Sequence, residues 1–238
     1  MDALPVLKRA SKGNKLLDAL PRREREHLVN GCEEVNLVMS EVLFEPGDYV
    51  RHVQFPTTGF ITLLTPTRGS MHLEVGLVGF EGMAGTPLVL GIATSPLQAL
   101  VQGGGCSLRM DAAPFLRELG RSPSLKMTLD RYLFVRMTQL AQSAGCTRYH
   151  LVEARLARWL LMTQDRARST AFRVTHETLA LMLGVRRVGV TRAASSLQKQ
   201  GLIRYRRGDV VVLNRAGLTA ASCSCYLTDR AIYSDVFG

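Results

Sequence analysis

The feature that most constrains the fold is a segment near the C-terminus in which two helical patterns flank a glycine. Thr175 can cap a first helix, "HETLALML", and Gly184 is the left-handed residue with which such a helix often ends. A second helical pattern runs from about Arg186 to Gln200. Its residues 190, 193, 194 and 197 (Val, Ala, Ala, Leu) have the i, i+3, i+4, i+7 spacing of a buried face. Two short helices joined this closely indicate a helix-turn-helix.

The opposite face of the second helix carries side chains that can read DNA bases. These are Arg187, Val188, Thr191, Arg192 and Ser195, with Arg186 just before them. Arginine binds guanine with two hydrogen bonds, and the methyl groups of valine and threonine pack on the thymine methyl group. The run "LIRYRRGDVVVL" follows, with two β patterns around Gly208. It predicts a wing whose Arg206 and Arg207 contact phosphate.

The charge distribution supports the same partner. The chain of 238 residues has a net charge of +10, and residues 147–215 contain fourteen Lys and Arg against four Asp and Glu. The rest of the chain is balanced, so all of the excess positive charge lies in this one stretch. A polyanion such as double-stranded DNA is the natural partner, because each neutralised phosphate releases counterions. A basic domain that is merely soluble is the alternative.

The N-terminal half has a different pattern. Residues 1–35 predict one or two short helices. Between Val42 and about Met110, short β-type runs such as "EVLF" and "GFITLL" are separated by turn sequences every ten or so residues. This pattern is typical of a β-roll or jelly roll. The length suggests more than one domain, and the expected class is α+β.

A long helical pattern from about Ser124 to Ala144 links the two halves. It is apolar on more than one side, so more than one side must be buried. We expect one face to pack on the β-roll and another to pack on a second copy, giving a homodimer; a wholly intramolecular core helix is the alternative. The residues assigned to this dimerisation helix are Leu129, Tyr132, Leu133, Met137 and Leu140. Gly145 is the expected hinge.

Several classes of protein are not indicated. No apolar run is long enough to span a bilayer, and the N-terminus lacks the apolar stretch of a secretory signal. The five cysteines include no CxxC pair, and Cys106, Cys146, Cys223 and Cys225 are scattered apart from the one close pair "CSC" at 223–225, so free thiols are expected and no metal or iron–sulfur cluster is expected. No nucleophile–base pair is evident, and an enzyme is not expected. A cupin-like metalloenzyme with a DNA-binding tail is an alternative, but His52 and His72 are isolated.

With these motifs in place, the chain resembles the Crp/Fnr family of bacterial transcription regulators over nearly its full length. "TLALMLGVRRVGVTRAASSLQKQGLI" resembles the helix-turn-helix of that family, and "LFEPGD" with "VQFPTTGFITLL" resembles its opening strands. The resemblance implies a cyclic-nucleotide-binding-like roll over residues 1–123, a dimerisation helix over 124–145 and a winged helix-turn-helix over 146–238. It also implies base contacts by Arg187 and Arg192, and phosphate contacts by Thr175 and His176.

The resemblance also locates an effector pocket, and there the chain departs from the family. "VGFEGMAG" and "ATSPLQALVQ" resemble the phosphate-binding cassette, whose matching residues here are Gly82, Met83, Ala84, Thr94 and Ser95. Met83 stands near the position of the glutamate that binds ribose, and no arginine stands near Thr94 to compensate a phosphate. We therefore expect that cyclic AMP is not bound tightly. A second departure is Val188, which stands where many family members have glutamate.

The resulting expectation is a cytoplasmic, homodimeric regulator that binds a pseudo-palindromic operator. Its β-roll either responds to an effector other than cyclic AMP or serves only as a scaffold, and RNA polymerase is the further partner that the resemblance implies. A non-specific architectural DNA-binding protein is a third possibility. The sequence leaves open the effector, the target genes, the direction of regulation and any redox role of the cysteines.

Overall fold

The computed structural model describes residues 13–67 and 72–238. Residues 1–12 and 68–71 lie outside the described part, so the prediction of helices over residues 1–35 can be compared only from residue 13 onwards. Within it the predicted α+β class is confirmed: a β-roll comes first, then a long helix, then a winged helix-turn-helix. No helix of residues 13–67 and 72–238 is both long enough and apolar enough to cross a membrane.

The roll consists of two antiparallel sheets preceded by two short helices, α1 (Lys15–Asp18) and α2 (Arg22–Asn30). One sheet has the order β1-β7-β3 and the other the order β2-β6-β4-β5. A 3₁₀ helix, Thr86–Leu90, lies between β5 and β6. The strands are β1 (Glu33–Leu37), β2 (Val42–Phe44), β3 (His52–Pro56), β4 (Phe60–Pro66), β5 (His72–Val78), β6 (Gln98–Gly103) and β7 (Gly105–Asp111).

Strand β4 shows how the roll meets the rest of the chain. Five consecutive residues, Phe60 to Leu64, are buried, whereas a strand with one solvated face alternates between buried and exposed residues. Ile61 packs inside the roll, while Leu64 belongs to the apolar core of the C-terminal domain. The strand is therefore covered on both faces because the C-terminal domain packs on the outside of this sheet.

Helices α3 (Ala112–Arg121) and α4 (Pro123–Tyr149) follow the roll. Ser122 caps α4, and its hydroxyl accepts a hydrogen bond from Leu125 N at 2.9 Å. The expected break at Gly145 is wrong, since α4 continues through it to Tyr149. A glycine inside a helix costs only about 1 kcal/mol, and burial of the next side chain, Cys146, holds this turn in place. The helix ends at His150.

The faces of α4 differ from the predicted stripe. Leu129 and Tyr132 are buried in the core of this same chain, at 0% and 2% exposure, and Leu133 is partly buried against that core. Leu129 and Tyr132 are therefore covered by their own chain, which corrects their assignment as dimer contacts, while the assignment of Leu133 stays a prediction. Met137 and Leu140 are exposed as predicted, and two further apolar residues of α4 are exposed with them: Met127 and Phe134.

The C-terminal domain surrounds a core of its own. Its three-stranded sheet has the order β8-β10-β9, and its core includes Leu156, Leu160, Leu179 and Leu197. The elements are α5 (Val152–Ala167), β8 (Ala171–Arg173), α6 (His176–Leu183), α7 (Arg187–Lys199), β9 (Ile203–Arg206), β10 (Asp209–Val212), α8 (Arg215–Ala221) and α9 (Cys225–Phe237).

Two polar contacts fasten this domain to the roll. Trp159 Nε1 on α5 donates a hydrogen bond to Glu74 on β5 at 3.0 Å. Arg166, also on α5, forms an ion pair with Glu81 at 2.7 Å, and both side chains are largely buried. The roll and the C-terminal domain are thus joined by partly buried, charge-assisted contacts as well as by apolar packing.

Candidate nucleic-acid interface

Helix α7 has the two faces that its sequence predicts. Val190, Ala193, Ala194 and Leu197 are its buried residues and pack in the domain core. On the opposite face Arg187, Val188, Thr191, Arg192 and Ser195 are all exposed. Arg186 is also exposed and is the N-cap residue. The described protein thus presents one continuous helix face of arginine, small polar and methyl-bearing side chains to solvent.

The turn before α7 is fixed by local geometry. Gly184 ends α6 with φ of +61°, a left-handed conformation that costs side-chain-bearing residues more than glycine. The guanidinium of Arg155 on α5 donates a hydrogen bond to the carbonyl of Leu183, one of the acceptors left without a partner at the end of α6. The angle between α6 and α7 is therefore held by a backbone constraint and by a buried arginine.

Thr175 and His176 lie at the start of α6, and their contacts are internal. The hydroxyl of Thr175 accepts a hydrogen bond from Thr178 N at 3.1 Å, which makes it the helix cap. The His176 ring lies 4.5 Å from the Tyr205 ring, and its Nδ1 is 3.1 Å from Thr191 Oγ1. Its Nε2 is buried. In this arrangement the His176 side chain, at the start of α6, packs between α7 and β9. Its role in binding phosphate stays a prediction.

The electrostatic surroundings of His176 favour the neutral ring. Partial burial, with a smaller contribution from the positive charge of Arg187, lowers the pKa of His176, while Glu177 opposes the shift. The hydroxyl of Thr191 donates to the Arg187 carbonyl at 3.1 Å, so its oxygen can accept a hydrogen bond from Nδ1 of a neutral His176 ring. This side chain therefore connects the first and second helices without adding charge to the surface.

One of the predicted base-contacting arginines has an acidic neighbour. Arg187 Nε lies 3.0 Å from Glu177 Oε1, and both side chains are well exposed. Exposed pairs of this kind contribute little to stability and are screened by salt, so a nucleic acid phosphate or base can displace the carboxylate. Arg192 forms no ion pair with any residue of the described part, which leaves its guanidinium available on the exposed face.

The predicted wing is a tight hairpin. Strands β9 and β10 pair from Ile203–Val212 to Arg206–Asp209, and the two residues between them, Arg207 and Gly208, have φ of +51° and +90°. Two positive φ values in a two-residue loop are the pattern of a type I′ turn. Arg206 and Arg207 are exposed at its tip. The hairpin therefore holds two positive charges on a short, rigid projection.

The residues assigned to an effector pocket are mostly buried or hydrogen-bonded within the chain. Met83 is fully buried and packs in the same core as Tyr132, whose hydroxyl lies 3.4 Å from the Met83 carbonyl. Gly82 lies so close to Tyr132 that a Cβ atom there would fall 2.1 Å from its hydroxyl. The hydroxyl of Ser95 donates to the Leu97 carbonyl at 2.9 Å. Ala84 is likewise buried, and Thr94 forms a backbone bridge with Tyr49.

A cavity of about 470 Å³ does open elsewhere in the roll. None of the five assigned residues lines it. Its walls come mainly from strand β2, from β3 and from the loop between them, and its polar lining residues include Arg51, His52, Gln54 and Arg109. The assigned residues instead lie next to this cavity, since backbone hydrogen bonds join Ser95 to Gly47 and Asp48, and Ala84 to Gln54.

The cysteines are placed differently from the expectation of scattered thiols. That expectation is wrong for three of them, since Cys146, Cys223 and Cys225 lie together with His150 at the end of α4. The physical reason is that α9 packs along α4, which brings residues 77 positions apart into contact. The expectation that the protein has no metal site rested on the scattered positions of the cysteines along the chain. Their positions in the fold no longer support it.

A comparison with protein-family models identifies the C-terminal domain. The model described as a Crp-like helix-turn-helix domain matches residues 154–221, which include α6, α7 and the wing. This chain has a Crp-like helix-turn-helix domain. A search of curated protein sequences finds no match for the chain. Within the Crp-like domain, the second helix of the motif is α7.

Three solved structures share the fold. The c-di-GMP responsive global regulator CLP of Xanthomonas campestris is 18% identical, covers 81% of this chain and 99% of its own, and has a TM-score of 0.64. A transcriptional regulator of the CRP family from Thermus thermophilus is 16% identical, with coverages of 80% and 99% and a TM-score of 0.65. FixK2 of Bradyrhizobium japonicum is 15% identical, with coverages of 81% and 98% and a TM-score of 0.60.

At these identities the likeness shows the fold: the roll, long helix and Crp-like domain are arranged as in Crp/Fnr regulators. The match to the helix-turn-helix model and this shared fold together support a DNA-binding regulator of the Crp/Fnr type. Two sets of residues in and near the Crp-like domain are not evident from the sequence. Arg155 resembles any exposed helix arginine in the sequence, and the cysteine–histidine cluster depends on a long-range contact.

Proposed function

We propose that this protein is a sequence-specific transcription regulator in which α7 reads bases in the major groove. The observation that carries this proposal is the division of α7 into a core face and an exposed face of two arginines, a valine and two hydroxyls. Arg187 and Arg192 would contact guanine edges, Val188 and Thr191 would contact thymine methyl groups, and Arg206 and Arg207 would hold phosphates. Thr175, His176, Arg186 and Ser195 complete the proposed contact surface.

The proposed active unit is a homodimer formed through α4. Phe134 is 59% exposed and Met137 is 69% exposed, and both lie on a helix side that its own chain leaves uncovered. With Met127 and Leu140 they form an apolar strip at roughly helical spacing, which a second copy can bury by two-fold symmetry. A dimer presents two α7 helices, so its operator would be a pseudo-palindrome with half-sites about 34–36 Å apart.

The proposed role of the roll is to bind an effector other than cyclic AMP and so to change the conformation of the dimer. The assigned nucleotide residues are buried or engaged in hydrogen bonds, which supports the expectation that cyclic AMP is not the ligand. An effector would act by favouring one setting of the Crp-like domain relative to α4. If no effector exists, the roll is a scaffold.

The remaining parts of the proposal follow from regulation of transcription. The protein would act in the bacterial cytoplasm, where the chromosome lies, with RNA polymerase as a further partner and no membrane partner. No enzymatic activity is proposed. The domain boundaries expected from the sequence, 1–123, 124–145 and 146–238, are kept as the proposed division, except that the second boundary is moved to the end of α4, after Tyr149.

Selection of binding sites from random duplex DNA tests this function. The full chain should enrich a two-fold symmetric sequence, and Arg192→Ala should enrich a relaxed one because it loses a base contact. Arg23→Ala, which removes one exposed charge from α2 far from α7, is the matched control and should enrich the same sequence as the unmodified protein. Equal binding to all sequences would show a non-specific DNA-binding protein instead. Repeating the selection with candidate effectors reports ligand dependence.

A further inference from the structure

Three cysteines and one histidine meet where α4 ends. Cys146 lies in the last turns of α4 and His150 is its cap residue, while Cys223 and Cys225 stand just before and at the start of α9. The four donor atoms, three Sγ and one imidazole nitrogen, all lie within 4.8 Å of one another. The three cysteines are buried and the histidine is partly buried.

The spacing of these atoms matches a single tetrahedral ion. Zinc binds cysteine sulfur at about 2.3 Å and histidine nitrogen at about 2.0–2.1 Å, which places two sulfurs about 3.8 Å apart and a sulfur and nitrogen about 3.5 Å apart. Here Cys146 Sγ lies 3.6 Å from Cys223 Sγ, and Cys225 Sγ lies 3.4 Å from His150 Nδ1. An iron–sulfur cluster distributes its ligands over several iron atoms and needs a wider opening.

The surroundings contain the donors that metal-bound thiolates require. Gln142 Nε2 donates to Cys225 Sγ at 2.9 Å, and Arg158 Nη1 points to Cys146 Sγ at 3.6 Å. Arg158 is itself held by Asp229, with Nε 3.0 Å from the Asp229 carboxylate, and only 13% of its side chain is exposed. Three thiolates around a divalent ion leave one net negative charge, and hydrogen bonds from Gln142 and Arg158 to the sulfurs stabilise it, although the charge of Arg158 is shared with Asp229.

We propose that Cys146, His150, Cys223 and Cys225 bind one Zn²⁺ ion. Thiolate and imidazole ligands favour zinc over magnesium and calcium, which prefer oxygen. All four positions around the ion are taken by the protein, so the site is structural and has no open position for a substrate. It joins the end of α4 to the start of α9, on either side of the Crp-like domain. This inference does not depend on the proposed DNA-binding function.

Metal analysis of the full-length protein tests the site. The protein is produced in zinc-supplemented medium, purified without chelators and measured by inductively coupled plasma mass spectrometry. We expect about one zinc per chain, and its loss in Cys225→Ser and Cys146→Ser. Cys32→Ser and Cys106→Ser are the matched controls, because both residues lie outside the cluster, and both should keep the zinc. Replacement by Co²⁺ should give the intense visible bands of tetrahedral cobalt with thiolate ligands.

A second measurement uses only the unmodified protein, because a variant that fails to fold would lose zinc even if the substituted residue were not a ligand. Alkylation of its thiols should release zinc in step with the loss of three cysteines, and a chelator should lower its melting temperature because metal binding stabilises the folded state. Metal-free protein that takes up no zinc, equal zinc in Cys225→Ser and the unmodified chain, or a Cys146–Cys223 disulfide in place of the ion would each overturn the proposal. No DNA enters these measurements, so they can fail or succeed independently of the proposed regulator.

Discussion

Trp159 Nε1 donates a hydrogen bond to the Glu74 carboxylate across the boundary between the Crp-like domain and the roll. Burial raises the pKa of this carboxyl from 4.5 to about 7, against the opposing effects of the Trp159 hydrogen bond and of Arg158, Arg166 and Arg136. A carboxyl that changes charge near neutral pH therefore stands at the contact between the two domains.

This contact predicts a pH dependence of stability. Between pH 4.5 and 7 the folded protein holds a proton on Glu74 that the unfolded chain releases, so stability should fall as pH rises through this range. The side chain is only half-buried, and we expect its contribution to be about 1–2 kcal/mol. Glu74→Gln keeps an acceptor for Trp159 and removes the titration. Urea unfolding at pH 5 and pH 8 should show a smaller difference for the variant, and parallel behaviour of the two proteins would refute the assignment.

Arg192→Ala should lower affinity for the selected operator by about 1–3 kcal/mol and relax the preference at one base pair. The reason is that its guanidinium is exposed on α7 without an ion pair among the described residues. Fluorescence anisotropy with the operator and with single-base variants measures both effects. Arg23→Ala is the control for lost charge. A uniform loss over all base variants would mean that Arg192 contacts phosphate.

Arg206→Ala on the wing should behave differently. The variant loses a phosphate contact, so operator and unrelated DNA should both bind more weakly. The slope of the logarithm of the binding constant against the logarithm of the salt concentration should become smaller in magnitude by about one. Arg206 is preferred to Arg207 for this test, because Arg207 occupies a positive-φ position of the turn and its replacement would also strain the hairpin. Titrations at several salt concentrations give the slope. An unchanged slope would place the wing away from the DNA backbone.

Val188 predicts a difference in the half-site. Its side chain is 56% exposed on the face of α7 that would meet bases, and its methyl groups can pack on thymine but cannot accept a hydrogen bond from cytosine. Val188→Glu should move the preference at one base pair towards cytosine, by about 1–3 kcal/mol of discrimination. Site selection with the two proteins measures the change. An identical consensus for both would show that this residue does not contact a base.

The sequence predicted which face of α7 is buried. This helix packs on one core only, so its apolar residues recur at helical spacing. The sequence could not show which apolar residues of α4 are buried and which are exposed. That helix is apolar on two sides, and periodicity alone does not tell which side is covered by its own chain. Leu129 and Phe134 are both large and apolar, yet one lies in the core and the other in solvent. The meeting of Cys146 and Cys223 is set by the packing of α9 on α4, for which no local pattern exists.

The exposed strip of α4 predicts the assembly state. Phe134→Glu should shift the protein to monomers, because a carboxylate would have to be buried in the proposed two-fold contact. Analytical ultracentrifugation measures the shift, and operator binding should weaken with it. Leu227→Glu, at a similarly exposed leucine on α9, is the matched control and should remain dimeric. A Phe134→Glu protein that stays dimeric would place the contact on another surface.

Cyclic AMP should not bind tightly. Met83 is buried in the core with Tyr132, which also packs against Gly82, and the residues next to Ser95 in the sequence include no arginine to compensate a phosphate. Isothermal titration calorimetry with the full chain should show no binding of cyclic AMP with a dissociation constant in the micromolar range or lower. Micromolar or tighter binding would contradict both the prediction and the assignment of the roll to another effector.

Helix α4 has 27 residues, which makes it a rod about 40 Å long. Only His150 and Leu151 separate it from α5, so the chain has almost no slack between the rod and the Crp-like domain. In the proposed dimer, a change in the angle at which two such rods cross would move the two α7 helices apart or rotate them about the DNA axis. The duplex repeats about every 10–10.5 base pairs, so this motion would put the two half-sites in or out of helical phase.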